Sequence, residues 1–272
     1  MRKNFCLLLL LWSSCYTYLF AQKKYEVSFQ LSNPVGANTD LYSQYPLVPE
    51  SSRDTALGEY DFHNKSYSIG AALQFNLQSK TAFRLRIDYT KMNIVSNNDI
   101  GNICSGMLQY KSYCFQNKYT LSPGYFYNLK EIRSLTAFVG AEMPITYLGK
   151  QLIYTAEVIY DGQNDNIYEK WIKVPSGLGL GIGIVCGINC NLDNNVTIGA
   201  EFSPSFQYKI FRGTYERIET SVDGWDSVTW NGSTLSYEGA QLSEKTTQYI
   251  STLNSSSFNY QNRFSINLTY KF

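Results

Sequence analysis

RFSINLTYKF (Arg263–Phe272) ends the chain on a two-residue alternation that does not slip once: Phe264, Ile266, Leu268, Tyr270 and Phe272 on one side, Arg263, Ser265, Asn267, Thr269 and Lys271 on the other. Successive side chains of a strand point to opposite faces, so the stretch predicts a β-strand with one apolar and one polar side. The same period recurs upstream in seven further runs, over 25–31, 66–77, 82–90, 118–129, 135–147, 177–184 and 196–208. In the sixth run Gly alternates strictly with Leu or Ile from Gly177 to Ile184.

The links between the runs alternate as well. Tight turns are expected around Ser79–Lys80, Glu131–Ile132 and Asp193–Asn194, and long connections over about 33–65, 95–115, 149–175 and 211–255. A compact soluble domain rarely carries structureless loops beyond about 12–15 residues. Short turns on one side and long loops on the other are the habit of membrane barrels. The expectation is an all-β fold: a transmembrane antiparallel up-and-down β-barrel of eight strands with long external loops and both termini on the periplasmic side. "LIYTAEVIY" and "IYEKWIKV" inside the third long connection read as a hairpin continuing strands five and six above the membrane. Counting them separately gives ten strands, the alternative. Pro123, Pro144 and Pro204 lie inside the runs and, lacking an N–H, mark bulges or strand ends.

The two faces decide which side looks out. Their polar sides are mostly Gly, Ser, Thr, Asn and Gln, whereas a soluble barrel would cover itself with Lys and Glu. The apolar sides carry no charge at mid-strand and place Tyr89, Tyr119, Tyr147, Tyr208 and Tyr260 near strand ends, as aromatic girdles require. A Lys at mid-depth on the lipid face would cost about 2–4 kcal/mol. The apolar side is therefore expected to face lipid.

Composition agrees. Of the 272 residues, 44% are hydrophobic, 15% aromatic and only 17% charged, with 23 Tyr and a net charge of +1. So neutral a balance leaves no basic stripe for nucleic acid. Arg2 and Lys3 followed by "CLLLLLW" (Cys6–Trp12) read as a secretory signal peptide over 1–21, with the barrel domain over 22–272. A lipoprotein cleavage at Cys15 is the rival, with Trp12 unsuitable at the key apolar position. Cys104 and Cys114 are a candidate loop disulfide in an exported chain. Cys186 and Cys190, four residues apart in a strand, stand too far apart to bridge. With His63 the only histidine and no CxxC pair, neither metal nor cofactor is expected.

The export signal ending in "FAQ", the eight alternating runs and the terminal aromatic of "INLTYKF" resemble the outer-membrane β-barrel proteins of Bacteroidetes, in particular the PorT-like and OmpA-like small-barrel group. The resemblance implies that Phe264, Ile266, Leu268, Tyr270 and Phe272 form the insertion signal read by the barrel-assembly machinery. It also implies a role beside a secretion or envelope assembly system, since the group includes an accessory barrel of the type IX secretion system.

The interior of an eight-strand barrel is just filled by side chains. Glu26, Arg84, Arg86, Asp88, Glu142, Glu201 and Arg263 fall on the inward side, and their mixed signs predict a paired network that plugs the lumen. A narrow channel is the competing function. A lipid-modifying enzyme would have to use His63, with Asp61 nearby, and no G-x-S-x-G elbow is present; the expectation is no enzyme. Binding through the long connections is the third reading. Trp225, Trp230 and Tyr237 in the last one are candidate contact aromatics. They serve equally well to pack an extended hairpin turning at Asp223–Gly224 and Asn231–Gly232. Outer-membrane lipid, the assembly machinery and an envelope or secretion complex are the expected partners.

Overall fold

The structure, a computed structural model, describes residues 25–33, 61–78, 80–103, 106–160, 166–231 and 234–272. The expected signal peptide, the rival cleavage at Cys15 and most of the first long connection lie outside the described residues.

The described residues form eight long staves, several of them interrupted. The first is β1 (Tyr25–Asn33); the second combines β2 (Asp61–Asn64) and β3 (Tyr67–Asn76); β4 (Thr81–Ile103) and β5 (Gly106–Ile132) are the third and fourth. The fifth is β6 (Leu135–Glu142), β7 (Ile145–Leu148) and β8 (Gln151–Tyr160), and the sixth β9 (Asn166–Val174) and β10 (Gly177–Asn191). The seventh is β11 (Val196–Phe202) and β12 (Ser205–Asp223). A small hairpin, β13 (Ser227–Asn231) and β14 (Thr234–Glu238), precedes the eighth, β15 (Ser243–Gln261) and β16 (Phe264–Lys271).

Every neighbouring pair is antiparallel, and β1 closes the ring by pairing with β16 on one side and β3 on the other. Partners can be followed once around the wall, from Ile266 through Leu31, Ile69, Tyr89, Tyr119, Tyr147, Leu178 and Ile210. The path returns to the eighth stave at Ser256, ten residues from its start (266 to 256). That stagger over eight strands tilts them by about 40°. The eight-strand expectation holds; β8 and β9 extend staves five and six rather than adding two more.

Burial follows the alternation. Gly177, Gly179, Gly181, Gly183 and Val185 point inward, while Leu178, Leu180, Ile182 and Ile184 are 56–71% exposed on the outside. The terminal set Phe264, Ile266, Leu268, Tyr270 and Phe272 is likewise outward. On β5 the exposed belt runs from Tyr119 to Leu129; ten residues at that tilt span about 25 Å, the height of an outer-membrane apolar band. At its upper edge the Tyr89, Tyr119 and Tyr147 rings form a chain with centroids 5.3 and 6.4 Å apart.

Tyr25, Phe272 and the three tight turns share one end of the barrel. Phe272 N–H donates to the Tyr25 carbonyl at 2.8 Å. Asp193 caps its turn by accepting from the N–H groups of Asn195 and Val196 at 2.6 and 2.7 Å. The turn expected at Glu131–Ile132 sits two residues later, with β5 reaching Ile132 and Arg133 turning the chain at φ 56°.

At the opposite end the hairpin expected inside the third long connection is present, and the second and fourth connections are mostly strand as well. β4 continues to Ile103 and pairs with β5 up to Gly106; β8 and β9 pair over Gln151–Val174; β12 and β15 pair up to Asp223 and Ser243. Three of the four long connections are thus mostly strand, and the barrel wall continues beyond the membrane. Its inner side is apolar there: Met92, Cys114, Leu148, Ile153, Ile172, Val174 and Phe211 form one core. Inside the membrane the wall is apolar outward; above it, water replaces lipid outside and the apolar side turns in.

Candidate functional site

The lumen gathers what the strands point inward. Arg84, Arg86 and Asp88 follow one another at the inward positions of β4; Glu142 ends β6, Glu201 lies on β11, and Arg263 sits in the break between β15 and β16. All but Arg263 are at most 5% exposed. Arg84 forms a two-point contact with Glu201, including Nη2 to Oε2 at 3.0 Å, and reaches Glu142 at 2.9 Å. Arg86 bonds Glu142 at 2.7 and 2.9 Å and Asp88 at 2.7 Å. Arg263 donates to Asp88 at 2.9 Å, and Asn267 to Glu201 at 2.8 Å. Three guanidinium groups against three carboxylates make the cluster neutral, the condition for burying charge. Of the seven residues predicted, Glu26 stands apart: it accepts from Gln74 and Asn76 at 3.1 and 2.9 Å at the short-turn end.

Glycines make room for these groups. A Cβ on Gly124 would lie 2.9 Å from Glu142 Cγ, and one on Gly70 would lie 2.2 Å from Asp88 Oδ1. The strand breaks gather at the same level. Ser203 and Arg263 exchange backbone bonds at 2.8 and 3.2 Å across two of them, and Met143 N–H bonds the Pro123 carbonyl at 2.9 Å. Pro144 and Pro204 therefore end strands as expected, whereas Pro123 stays within β5, paired with Leu85.

The cluster is one of several layers. Towards the short-turn end Ala82, Phe126, Phe138 and Val185 pack together, with Arg84 stacked 4.0 Å from the Phe126 ring centre. On the other side lies a chamber of about 80 Å³ lined by Asp88, Thr120, Thr146, Gln207 and Arg263 among others. Its size and polar lining are those that buried water requires. The apolar core of the external wall begins at Met92, which also lines the chamber, and on the opposite face of the same strands Val158, Ile167, Val222 and Leu235 form a second core.

That second core receives the aromatics singled out as contacts. Trp225, Trp230 and Tyr237 pack against it, Trp230 donating to Gln109 at 3.2 Å beneath the Lys111 ammonium at 4.3 Å. They hold the β13–β14 cap in place. Among the described residues the exposed apolar side chains of the wall are instead Tyr168, Tyr249 and Ile250. Tyr249 is legible in the sequence as an aromatic of the last connection; the strand that presents it is not.

Cys114 corrects the disulfide expectation. It is a free thiol, 0% exposed in the apolar core, and accepts from Gln151 Nε2 at 3.1 Å. Burial pushes it up to about 12, so it stays protonated and unreactive at neutral pH. Cys104 lies outside the described residues. Nearby, Tyr154 donates to Glu169 at 2.5 Å; burial pushes the Glu169 carboxyl above its usual range. His63 is on β2 opposite Val95, its side chain outside the described set. Among the described residues no group of three or more His, Cys, Asp or Glu could hold a metal.

Fold and site together define a transmembrane eight-stranded β-barrel with a plugged lumen and a tall external wall. Outer-membrane proteins of solved structure share this outline. Neisserial surface protein A is 10% identical over 92% of this chain and 97% of its own, with a TM-score of 0.31. A major outer membrane protein from Thermus thermophilus is 10% identical over 92% and 99%, TM-score 0.36. The attachment invasion locus protein Ail of Yersinia pestis is 8% identical over 92% and 97%, TM-score 0.30. Superpositions this loose say nothing about activity. No known family's sequence profile and no curated protein matches the chain.

Proposed function

We propose that the chain is an integral outer-membrane barrel that neither conducts nor catalyses, and that binds a partner through its external wall. The observation that carries this is the combination of a lumen filled at successive levels with a packed wall continuing well beyond the apolar belt. A channel needs the first to be open, and a passive anchor has no use for the second. In this reading the short-turn end, with both termini, faces the periplasm. The resemblance to PorT-like barrels favours a protein of a secretion or envelope assembly system as the partner. The face of the wall bearing Tyr168 and Tyr249, 45 and 52% exposed, is the contact surface; aromatic side chains dominate interface energetics.

Affinity purification from native outer membranes in mild detergent tests this. A stoichiometric partner is expected with the natural chain. Tyr168→Ala combined with Tyr249→Ala should weaken its retention by more than roughly tenfold, and His63→Ala should leave it unchanged. A barrel that elutes alone, or a partner indifferent to Tyr168 and Tyr249, would contradict the proposal.

A further inference from the structure

One side of the lipid-facing wall is not smooth. A groove of about 810 Å³ runs over β1, β3, β4 and β16, bounded by Phe29, Leu31, Ile69, Ile87 and Tyr89. Ala71 lies at its floor, where the neighbouring outward positions carry large side chains. The groove opens from a surface that lipid chains already cover, so an acyl chain fits its chemistry.

Its upper end is cationic. Lys91 is the outward residue next above Tyr89 on β4, and Lys65 is the one next above Tyr67 on the second stave. Tyr67 pairs with Lys91, and the Lys65 N–H donates to the Asn93 carbonyl at 2.9 Å. The two lysines are therefore diagonal neighbours on one face, about 7–8 Å apart at their roots and able to close on a single phosphate. Lys91 carries its ammonium 5.6 Å from the Phe115 ring centre, at the tyrosine girdle. Among the described residues neither lysine forms an ion pair; the wall's exposed pairs, Lys170–Glu219, Lys173–Glu216 and Arg217–Glu219, belong to β9 and β12. The short-turn end carries exposed charges of both signs, Lys80 and Arg133 with Glu131 and Asp193.

We propose that this wall binds a phosphorylated, acylated glycolipid of the outer leaflet, with a chain in the groove over Ala71 and a phosphate between Lys65 and Lys91. Charge and shape coincide here: the only step from groove to lysines is the Tyr89 ring. The site sits on the lipid face, away from Tyr168 and Tyr249, and does not depend on the wall having a protein partner.

The test places the folded, purified chain in phosphatidylcholine nanodiscs doped with diphosphorylated lipid A and measures bound lipid by native mass spectrometry. At about 1 kcal/mol for each lysine near an anionic surface, Lys65→Gln with Lys91→Gln should lower retention roughly 30-fold. Ala71→Phe, which fills the groove without touching a charge, should also lower it, and Lys80→Gln should not. Heat-dependent gel mobility confirms that each variant remains a barrel. Unchanged retention in the double-lysine variant would overturn the proposal. So would equal retention of dephosphorylated lipid A, or of phosphatidylglycerol, which would reduce the site to unspecific anion attraction.

Discussion

Glu142→Ala is expected to lower the barrel's unfolding free energy by about 3–5 kcal/mol, because it strands buried charge inside a narrow, closed lumen. Glu142 joins all three arginines: it bonds Arg84 at 2.9 Å and Arg86 at 2.7 Å and faces Arg263 at 3.9 Å. Its removal leaves three cations against two carboxylates, and opens a space beside Gly124. Removing Arg86 together with Glu142 should recover a large part of the loss, since the pair then leaves neutral. Urea unfolding in lipid vesicles, followed by tryptophan fluorescence, reads the effect. A loss below about 1 kcal/mol would mean that the cluster is well hydrated and is no plug.

Ile182→Arg is the complementary experiment, directed at the outer face. Ile182 is 71% exposed at the middle of β10, between Leu180 and Ile184. If lipid surrounds it, an arginine there costs about 2–4 kcal/mol. The same substitution at Thr252, exposed on the external wall, should stay within about 0.5 kcal/mol. In a soluble barrel both changes would be small. Vesicle unfolding of the two variants side by side therefore separates a lipid face from a wet one.

The period of two makes the membrane part of the barrel legible, because every stave there has one partner chemistry outside and another inside. Arg84, Arg86, Asp88, Glu142, Glu201 and Arg263 can be read as one network from parity alone, since a narrow lumen forces inward charges together. Glu26 has the same parity, but it lies near the end of its strand, where Gln74 and Asn76 satisfy it. Parity gives a face and says little about depth. The external wall is hidden for a related reason. Above the membrane, Ser, Thr, Tyr and Lys occupy both faces of strands such as β12 and β15, and the rule that marks lipid-facing strands loses its contrast. Cys114 and Trp230 look like loop residues in the sequence on that account. Once their segments are strands, each meets a core, Cys114 on the inner face and Trp230 against the opposite one, and burial follows.

Planar-bilayer recording of the purified, folded chain in concentrated KCl tests the central claim, a barrel sealed by its own side chains. The sealed lumen predicts a silent bilayer after insertion, with insertion verified independently by protease protection. Steady, stepwise currents that change when Glu142 is replaced would place an ion path through the cluster, and would contradict the account.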